Sequence, residues 1–423
     1  MSCAIPGEND ERSRLEGEGA RFQMPHDKRE LPPLEEEATE ADVLYYAFNS
    51  NAMLEAAYFE WKMAIERVPQ MASLDDPRFT YGYLFSKEMM SSWDRTTLGI
   101  SQMVPFPGKL ETAGKVALQE AMAAGMRFEN TKFMLQADVL MAWYELVYID
   151  TAMGIAQENL TLHQDFAESL RTMLATGMAG QAEVSMAEAD LAMADNDLKM
   201  RQAERPPALA KLNALLSRPP KTSLRPQVEN KPRALPERDD EVLALAAERN
   251  KELQAMAAEV QGREHALELA RKAYLPDFEL SFNIVGSMER MFEGMLTLPL
   301  QLRRIRAGIE EAGAGVRAAQ AMLRARKDDI AANVILQLSM ARDSARQAAL
   351  FKDTLIPRVE EIVSATRQSY STGGASFMDV VEARRSLLAF REGRAYQEMI
   401  RDSATAELEA LCALDFGRLG DVK

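Results

Sequence analysis

Two stretches of the chain alternate apolar and polar residues with period two, and each is flanked by far longer stretches with helical spacing. FTYGYLFS (79–86) sets Phe79, Tyr81, Tyr83 and Phe85 on one face against Thr80, Gly82 and Ser86, with Leu84 breaking the polar side. FELSFNIVG (278–286) repeats the pattern with Phe278, Leu280, Phe282 and Ile284 against Glu279, Ser281 and Asn283. Such alternation predicts strands with unlike faces. TTLGISQMVP (96–105) and FEGMLTLPL (292–300) alternate too, after the turns KEMMSSWDR (87–95) and SMER (287–290), so two β-hairpins are expected.

Helical spacing fills most of the rest. Helices are expected from about Glu40 to Arg67 and from about Asp239 to Tyr274, with Pro77 and Pro276 marking the exits. After each hairpin, Pro-marked turns lead into uninterrupted helices from Lys109 to Ala175 and from Arg303 to Ser371. At 1.5 Å rise per residue either is roughly 100 Å long, too long for a compact soluble domain. Thr176-Gly177 and Thr372-Gly373 end them, and return helices follow. Val184, Ala187, Leu191, Ala194 and Leu198 step by three and four, as do Val380, Ala383, Leu387 and Phe390, which is heptad-like packing with small knobs. The first return helix is expected to break at ERPP (204–207), restart as ALAKLNALLSR and end at Pro219-Pro220.

Sliding the chain along itself explains the doubling. At a shift of 196, ATGMAGQAEVSMAEADL (175–191) falls on STGGASFMDVVEARRSL (371–387), and the register runs on to pair Leu212 with Leu408 and Leu215 with Leu411. Upstream, a shift of 199 pairs Val43 with Val242, Asn51 with Asn250, Pro77 with Pro276 and Phe79 with Phe278. The expected organisation is a leader (1–38, charged and disordered), a first repeat (39–225), a linker (226–238), a second repeat (239–416) and a tail (417–423).

Composition narrows the function. A net charge of −15 repels a phosphate backbone and leaves no basic stripe, which excludes nucleic acid as a partner. With 2 cysteines and 3 histidines, neither a disulfide framework nor a Cys/His metal site can be assembled, and no cofactor is expected. No nucleophile–base pair or phosphate loop argues for catalysis, so the chain does not read as an enzyme. No stretch approaches the roughly 18 apolar residues of a membrane-spanning helix, and no signal peptide follows Met1. Cys3 in MSCAIP is a candidate lipidation residue of a lipoprotein; an incidental cysteine is the plain alternative.

Strands of eight to ten residues with one greasy face suit a membrane β-barrel. Four strands cannot close one, and an open edge in lipid is forbidden. A membrane role therefore requires oligomerisation; a small soluble sheet packed on helices is the competing reading.

Helix, hairpin, long helix, tip and return helix, twice over, resemble the TolC family of outer-membrane efflux proteins, from about residue 40 to 416. The resemblance rests on VPFPGKL (104–110), LNALLSRPP (212–220), AYLPDFELS (273–281) and YSTGGASFMDVVEARRSLL (370–388). It implies a mainly α fold with a small antiparallel β part, in which a homotrimer joins four strands per chain into a 12-stranded barrel in outer-membrane lipid. It implies Phe79, Tyr81, Tyr83, Phe278, Leu280 and Phe282 facing lipid, and a periplasmic tunnel whose tips, at Thr176, Gly177, Thr372 and Gly373, meet a periplasmic adaptor joined to an inner-membrane pump. Asp379 and Glu382 match acids that ring the tunnel's narrow end, Glu183 is their counterpart in the first repeat, and Tyr370 matches a tyrosine that helps hold the entrance shut. Three copies of such acids around an axis would attract cations; ordinary solvated acids are the plain alternative. Where the family carries a basic residue that locks the closed gate, this chain has Ala375. The 26 methionines suit either a path for soft Cu(I) or Ag(I) or ordinary core filling at Met134, Met141 and Met153, and VPFPGKL is similar to the heavy-metal branch. The competing functions are a soluble or periplasmic coiled-coil scaffold or adaptor, and an exit duct for secreted polypeptides.

Overall fold

The computed structural model of the chain describes residues 5–25, 28–83, 85, 93, 96–227, 238–286 and 289–414. Cys3, the tail 417–423 and nearly all of the 226–238 linker and the 87–95 turn lie outside the described residues. In chain order the elements are α1 (Glu8–Gly19), β1 (Glu37–Ala38), α2 (Glu40–Ser50), α3 (Ala52–Met71), β2 (Arg78–Tyr83), β3 (Thr96–Val104), α4 (Lys109–Ala175) and α5 (Gln181–Leu215). There follow β4 (Arg225–Pro226), α6 (Asp239–Arg249), α7 (Lys251–Arg271), β5 (Asp277–Val285), β6 (Glu289–Thr297), α8 (Leu302–Leu350), α9 (Ile356–Ser371) and α10 (Phe377–Cys412). The chain is mainly helical with a small antiparallel sheet, and it divides into two compact units.

The first unit comprises Met1–Gln23, Glu55–Glu129 and Lys251–Asp328. Its sheet runs β2-β3-β5-β6, antiparallel throughout, so β2 and β6 are its edges. The last strand lies at Glu289–Thr297, three residues earlier than its apolar alternation suggests, because Leu298–Leu300 have no neighbouring strand to pair with. Residues 5–25 are not the disordered leader expected from their charge. Helix α1 seats Leu15 in the core, with Ile5 and Phe22 buried on either side of the helix. Trp61 Nε1 donates to Glu11 Oε1 at 2.9 Å, and the Phe22 ring lies 4.9 Å from Tyr58. Gly125 makes the fit possible, since a Cβ there would lie 2.6 Å from Glu11 Oε1 and 2.9 Å from the Trp61 ring. Three separated apolar residues leave no periodicity to read; their partners come from helices distant in sequence.

The second unit comprises Met24–Leu54, Asn130–Asn250 and Asp329–Lys423. It shows how one asparagine in each repeat replaces the single helix expected before each hairpin by two. Asn51 separates α2 from α3, accepts the Leu54 N–H at 3.0 Å and donates to the Leu215 carbonyl at 2.8 Å. Asn250 separates α6 from α7 and donates to the Leu411 carbonyl at 2.9 Å. Both are buried, and both satisfy a carbonyl in the last turn of a return helix, which has no intrahelical partner.

Proline reads misleadingly in two places. Helix α5 runs unbroken through Pro206 and Pro207, where a break is expected. Two prolines cost roughly 3 kcal/mol each in a helix interior, yet Ala208, Leu209 and Leu212 continue the buried face of Ala194 and Leu198, and Arg205 is tied to Asp150 at 2.6 Å and to the Leu224 carbonyl at 2.9 Å. Conversely, the helix expected to be continuous from 303 to 371 contains a π-helical turn at Phe351–Leu355 between α8 and α9, just before Pro357. The wider turn absorbs the donor that Pro357 lacks. It sets Phe351 against Phe390, with ring centroids 5.9 Å apart, and against Gly393, where a Cβ would meet the ring at 2.9 Å. One 18-residue window of α4 reaches a mean hydropathy of 1.3, long and apolar enough to cross a membrane by composition, contrary to expectation. The helix is a core helix here, burying Leu140, Trp143 and Leu146 in the second unit.

Replacing Asn250 by Ala leaves the Leu411 carbonyl without its donor. The expected cost is about 1–3 kcal/mol, to be measured by urea denaturation against the parent protein.

Candidate functional site at the helix tips and the sheet face

The two tips use one backbone solution. Gly177 and Gly373 take φ of 76° and 78°, the left-handed region that glycine adopts at little cost. At the first tip the Met178 N–H bonds the Met173 carbonyl at 2.8 Å and the Gly177 N–H the Leu174 carbonyl at 3.0 Å; at the second, Gly374 bonds Ser369 at 2.8 Å and Gly373 bonds Tyr370 at 3.1 Å. This is the Schellman pattern that closes the last carbonyls of a helix. Thr176 and Thr372 each donate a hydroxyl back into the last turn at 3.0 Å, to Met173 and Ser369. Ala375 lies in the second tip between Gly374 and Ser376, the residue that begins the return.

The acids named from the sequence divide by role. Asp379 closes a capping box: its Oδ2 accepts from the Ser376 N–H at 2.8 Å and the Ser376 hydroxyl at 2.7 Å, while its own N–H donates to Ser376 Oγ at 3.2 Å. The Ser376 hydroxyl, and after it the Ser376 backbone, hold the Asp379 carboxyl below its ordinary value, so it stays ionised. Glu183 does the equivalent for α5, accepting from the Gly180 N–H at 2.9 Å; glycine offers no side chain for the reciprocal half. Glu382 is exposed one turn into α10 and has no ionic partner among the described residues. Tyr370 lies edge-on to Phe377 at 5.4 Å, and Phe377 stacks on Phe166 at 5.4 Å. Leu162, Phe166, Leu170, Val184, Ala187 and Val381 pack behind these, so both tips stand on one core.

Ser376, Phe377 and His163 were not singled out in the sequence. The S-x-x-D spacing of Ser376 and Asp379 was there to be read as a cap; His163 had no such signal. It is buried with Nδ1 unpaired, and burial, then Arg385, lower its pKa from 6.5 while Asp190 works the other way.

The sheet brings the strand residues together. Phe79 pairs with Ile100, Ile100 with Phe282 and Phe282 with Phe292; Tyr81 pairs with Leu98 and Leu98 with Ile284; Phe278 pairs with Val104 and Leu296, and Leu280 with Gln102 and Gly294. Paired residues share a face, so Phe79, Tyr81, Tyr83, Phe278, Leu280 and Phe282 form one apolar surface, exposed throughout. The opposite face carries Thr80, Ser101, Glu279, Ser281, Asn283 and Glu293, and Ser281 and Asn283 both donate to Glu293 Oε2, at 3.3 and 3.2 Å.

Residues 242–414, the greater part of the second repeat, match the family model described as outer membrane efflux protein. In this part the chain is similar to the outer membrane efflux proteins. Its fold agrees with solved structures over nearly the whole length. The outer membrane protein VceC of Vibrio cholerae superposes with a TM-score of 0.74 at 18% identity, covering 89% of this chain and 96% of that one. The MtrE outer membrane channel of Neisseria gonorrhoeae gives 0.74 at 17%, covering 90% of each. The CmeC outer membrane channel of Campylobacter jejuni gives 0.74 at 14%, covering 89% and 85%. No curated protein matches the chain by sequence. The family is one of channels, and among the described residues no cluster of three or more His, Cys, Asp or Glu side chains is placed to hold a metal ion.

A lowered histidine pKa has a definite sign. Below pH 6.5 the unfolded chain takes up a proton that the folded core resists, so the contribution of His163 to stability is full above that pH and falls as pH drops toward the folded-state pKa. The parent protein is expected to lose more thermal stability between pH 7.5 and pH 5.5 than His163→Gln; equal losses in differential scanning calorimetry would place the titrating group elsewhere.

Proposed function

We propose that the chain is the exit duct of a tripartite efflux system in the outer membrane of a Gram-negative cell, passing small molecules or metal ions from periplasm to exterior. The observation that carries this is the sheet: a face rich in exposed aromatic and aliphatic side chains lies opposite one that carries most of the polar ones, and both edge strands lack a partner among the described residues. An apolar face in water and an open edge in lipid are each unfavourable, and three copies joined edge to edge, 12 strands in all, remove both conditions. Phe79, Tyr81, Tyr83, Phe278, Leu280 and Phe282 then face lipid. The helices of the three copies enclose the periplasmic part, and the tips at Gly177 and Gly373 dock a periplasmic adaptor that an inner-membrane pump engages. The duct is passive; the pump supplies the energy.

Metal ions as cargo draw support from exposed methionines: Met178 at the first tip, and Met186, Met193 and Met200 at seven-residue spacing along one side of α5. Thioethers suit soft monovalent ions.

At the gate, the capping role of Asp379 leaves its charge in place while fixing its position, and Glu382 adds a free carboxylate one turn away. Tyr370, braced by Phe377, closes beside them.

Two measurements test the reading. Purified protein is expected to need detergent and to sediment as a trimer; a detergent-free monomer would sink the duct in favour of a soluble scaffold. In single-channel recordings Glu382→Gln, and more so Glu382→Gln with Asp379→Asn, is expected to lower the preference for cations, whereas unchanged selectivity would put these acids outside the constriction.

A further inference from the structure

Methionine ordinarily fills gaps in a core, yet one strand of this sheet carries it on the face opposite the aromatic one. Along β6 the side away from Phe292 and Leu296 presents Glu289, Met291, Glu293 and Met295 in turn, so that acid and thioether alternate at every second residue. The register extends this pattern across the sheet. Met103 of β3 stands opposite Glu279 of β5, and Glu279 stands opposite Met295 of β6, so one row of the polar face reads thioether, carboxylate, thioether. Resting on the reading of metal ions as cargo, we propose that Met103, Glu279 and Met295 together bind one soft monovalent cation, Cu(I) or Ag(I), near the end of the sheet where β3 and β6 lead into α4 and α8.

Packing does not account for the row. Met295 is 62% exposed, so it fills no core, and Met291, two places back on the same side, is 45% exposed. Serine or threonine would serve a surface turned toward water; a thioether adds a soft donor that neither supplies. Spacing suits a shared ion. Residues directly opposite on neighbouring strands carry their Cβ atoms about 5 Å apart, and two strand spacings put the Cα atoms of Met103 and Met295 about 10 Å apart with Glu279 between them. Three rotatable bonds let each methionine lean toward that carboxylate. Charge then decides the class of ion. The row carries one negative charge, which balances one monovalent cation, and thioether sulfur selects soft ions. Hard divalent ions require six or more oxygens or an octahedral shell, which one carboxylate does not provide. Glu279 is also uncommitted: among the described residues no ion pair or hydrogen bond engages its side chain, whereas Glu293 in the adjoining row accepts from Ser281 at 3.3 Å and from Asn283 at 3.2 Å.

The test titrates silver nitrate into the full chain in detergent, labelled with 13C at the methionine methyl groups, because Ag(I) stays monovalent in air. The Met103 and Met295 signals are assigned by their loss in Met103→Leu and Met295→Leu, which nearly conserve volume and leave the fold in place. Both signals are expected to shift together over one range of Ag(I). In Met103→Leu the Met295 signal is expected to shift only at higher Ag(I), and the reverse in Met295→Leu; Glu279→Gln is expected to raise the Ag(I) needed by both about tenfold or more. Calcium in excess is expected to leave the titration unchanged. Signals that ignore Ag(I), or a Met295 response that Met103→Leu leaves unaltered, overturn the shared site. Sedimentation of the same samples separates this from the reading on which it rests: a trimer whose Met103 and Met295 ignore Ag(I) overturns the site and leaves the duct standing, whereas a monomer that shows the joint shift keeps the site and overturns the duct.

Discussion

Unpaired strand edges are what the rest of this molecule has to accommodate. Strands β2 and β6 each present a row of backbone donors and acceptors on one side, and the sheet between them exposes an apolar face. A soluble protein would cover such a face with a helix and blunt such edges with charge or bulges. Here the edge strands are six and nine residues long, and Phe79 and Tyr81 on one and Phe292 on the other are bare. The polar groups on the reverse face are organised among themselves, with Ser281 and Asn283 converging on Glu293, which suits a surface turned toward water.

Duplication supplies economy elsewhere. A buried asparagine at the same point of each repeat interrupts a helix and closes on the end of a return helix, and a glycine of the same φ ends each long helix with the same pair of hydrogen bonds. The repeats part company where their surroundings differ. The second long helix carries a π turn that sets Phe351 on Gly393, while α4 runs without one; α5 carries two prolines in its interior, while α10 carries none.

The tips combine a rigid base with charge. Asp379 and Glu183 hold the first turns of their helices, so neither side chain is free to swing, and the aromatic stack of Tyr370, Phe377 and Phe166 seats the second tip on a core shared with the first. Glu382 is the acid left unengaged by a cap. Asp379 thus carries a charge that is also part of the helix start.

Much of this was legible in the residues. Period-two alternation located the strands, periods of three and four located the helices, and the shifts of 196 and 199 paired Asn51 with Asn250 and Gly177 with Gly373 before any contact was known. These are local signals, because backbone geometry repeats at short range and leaves its period in the side chains. The order found in residues 5–25, the continuity of α5 through Pro206-Pro207, the π turn before Pro357 and the buried place of His163 were not legible. Each depends on side chains that arrive from far along the chain, where a few kilocalories of packing outweigh what the local sequence prefers. The sequence by itself determined the two hairpins, the long helices and the tip turns, and that they come twice. Only the tertiary structure decided that Lys109 and Asp277 fasten the junction of β3 and β5, and that Asn51 and Asn250 close on the ends of the return helices, because a hydrogen bond between distant residues exists only once folding has brought them within reach.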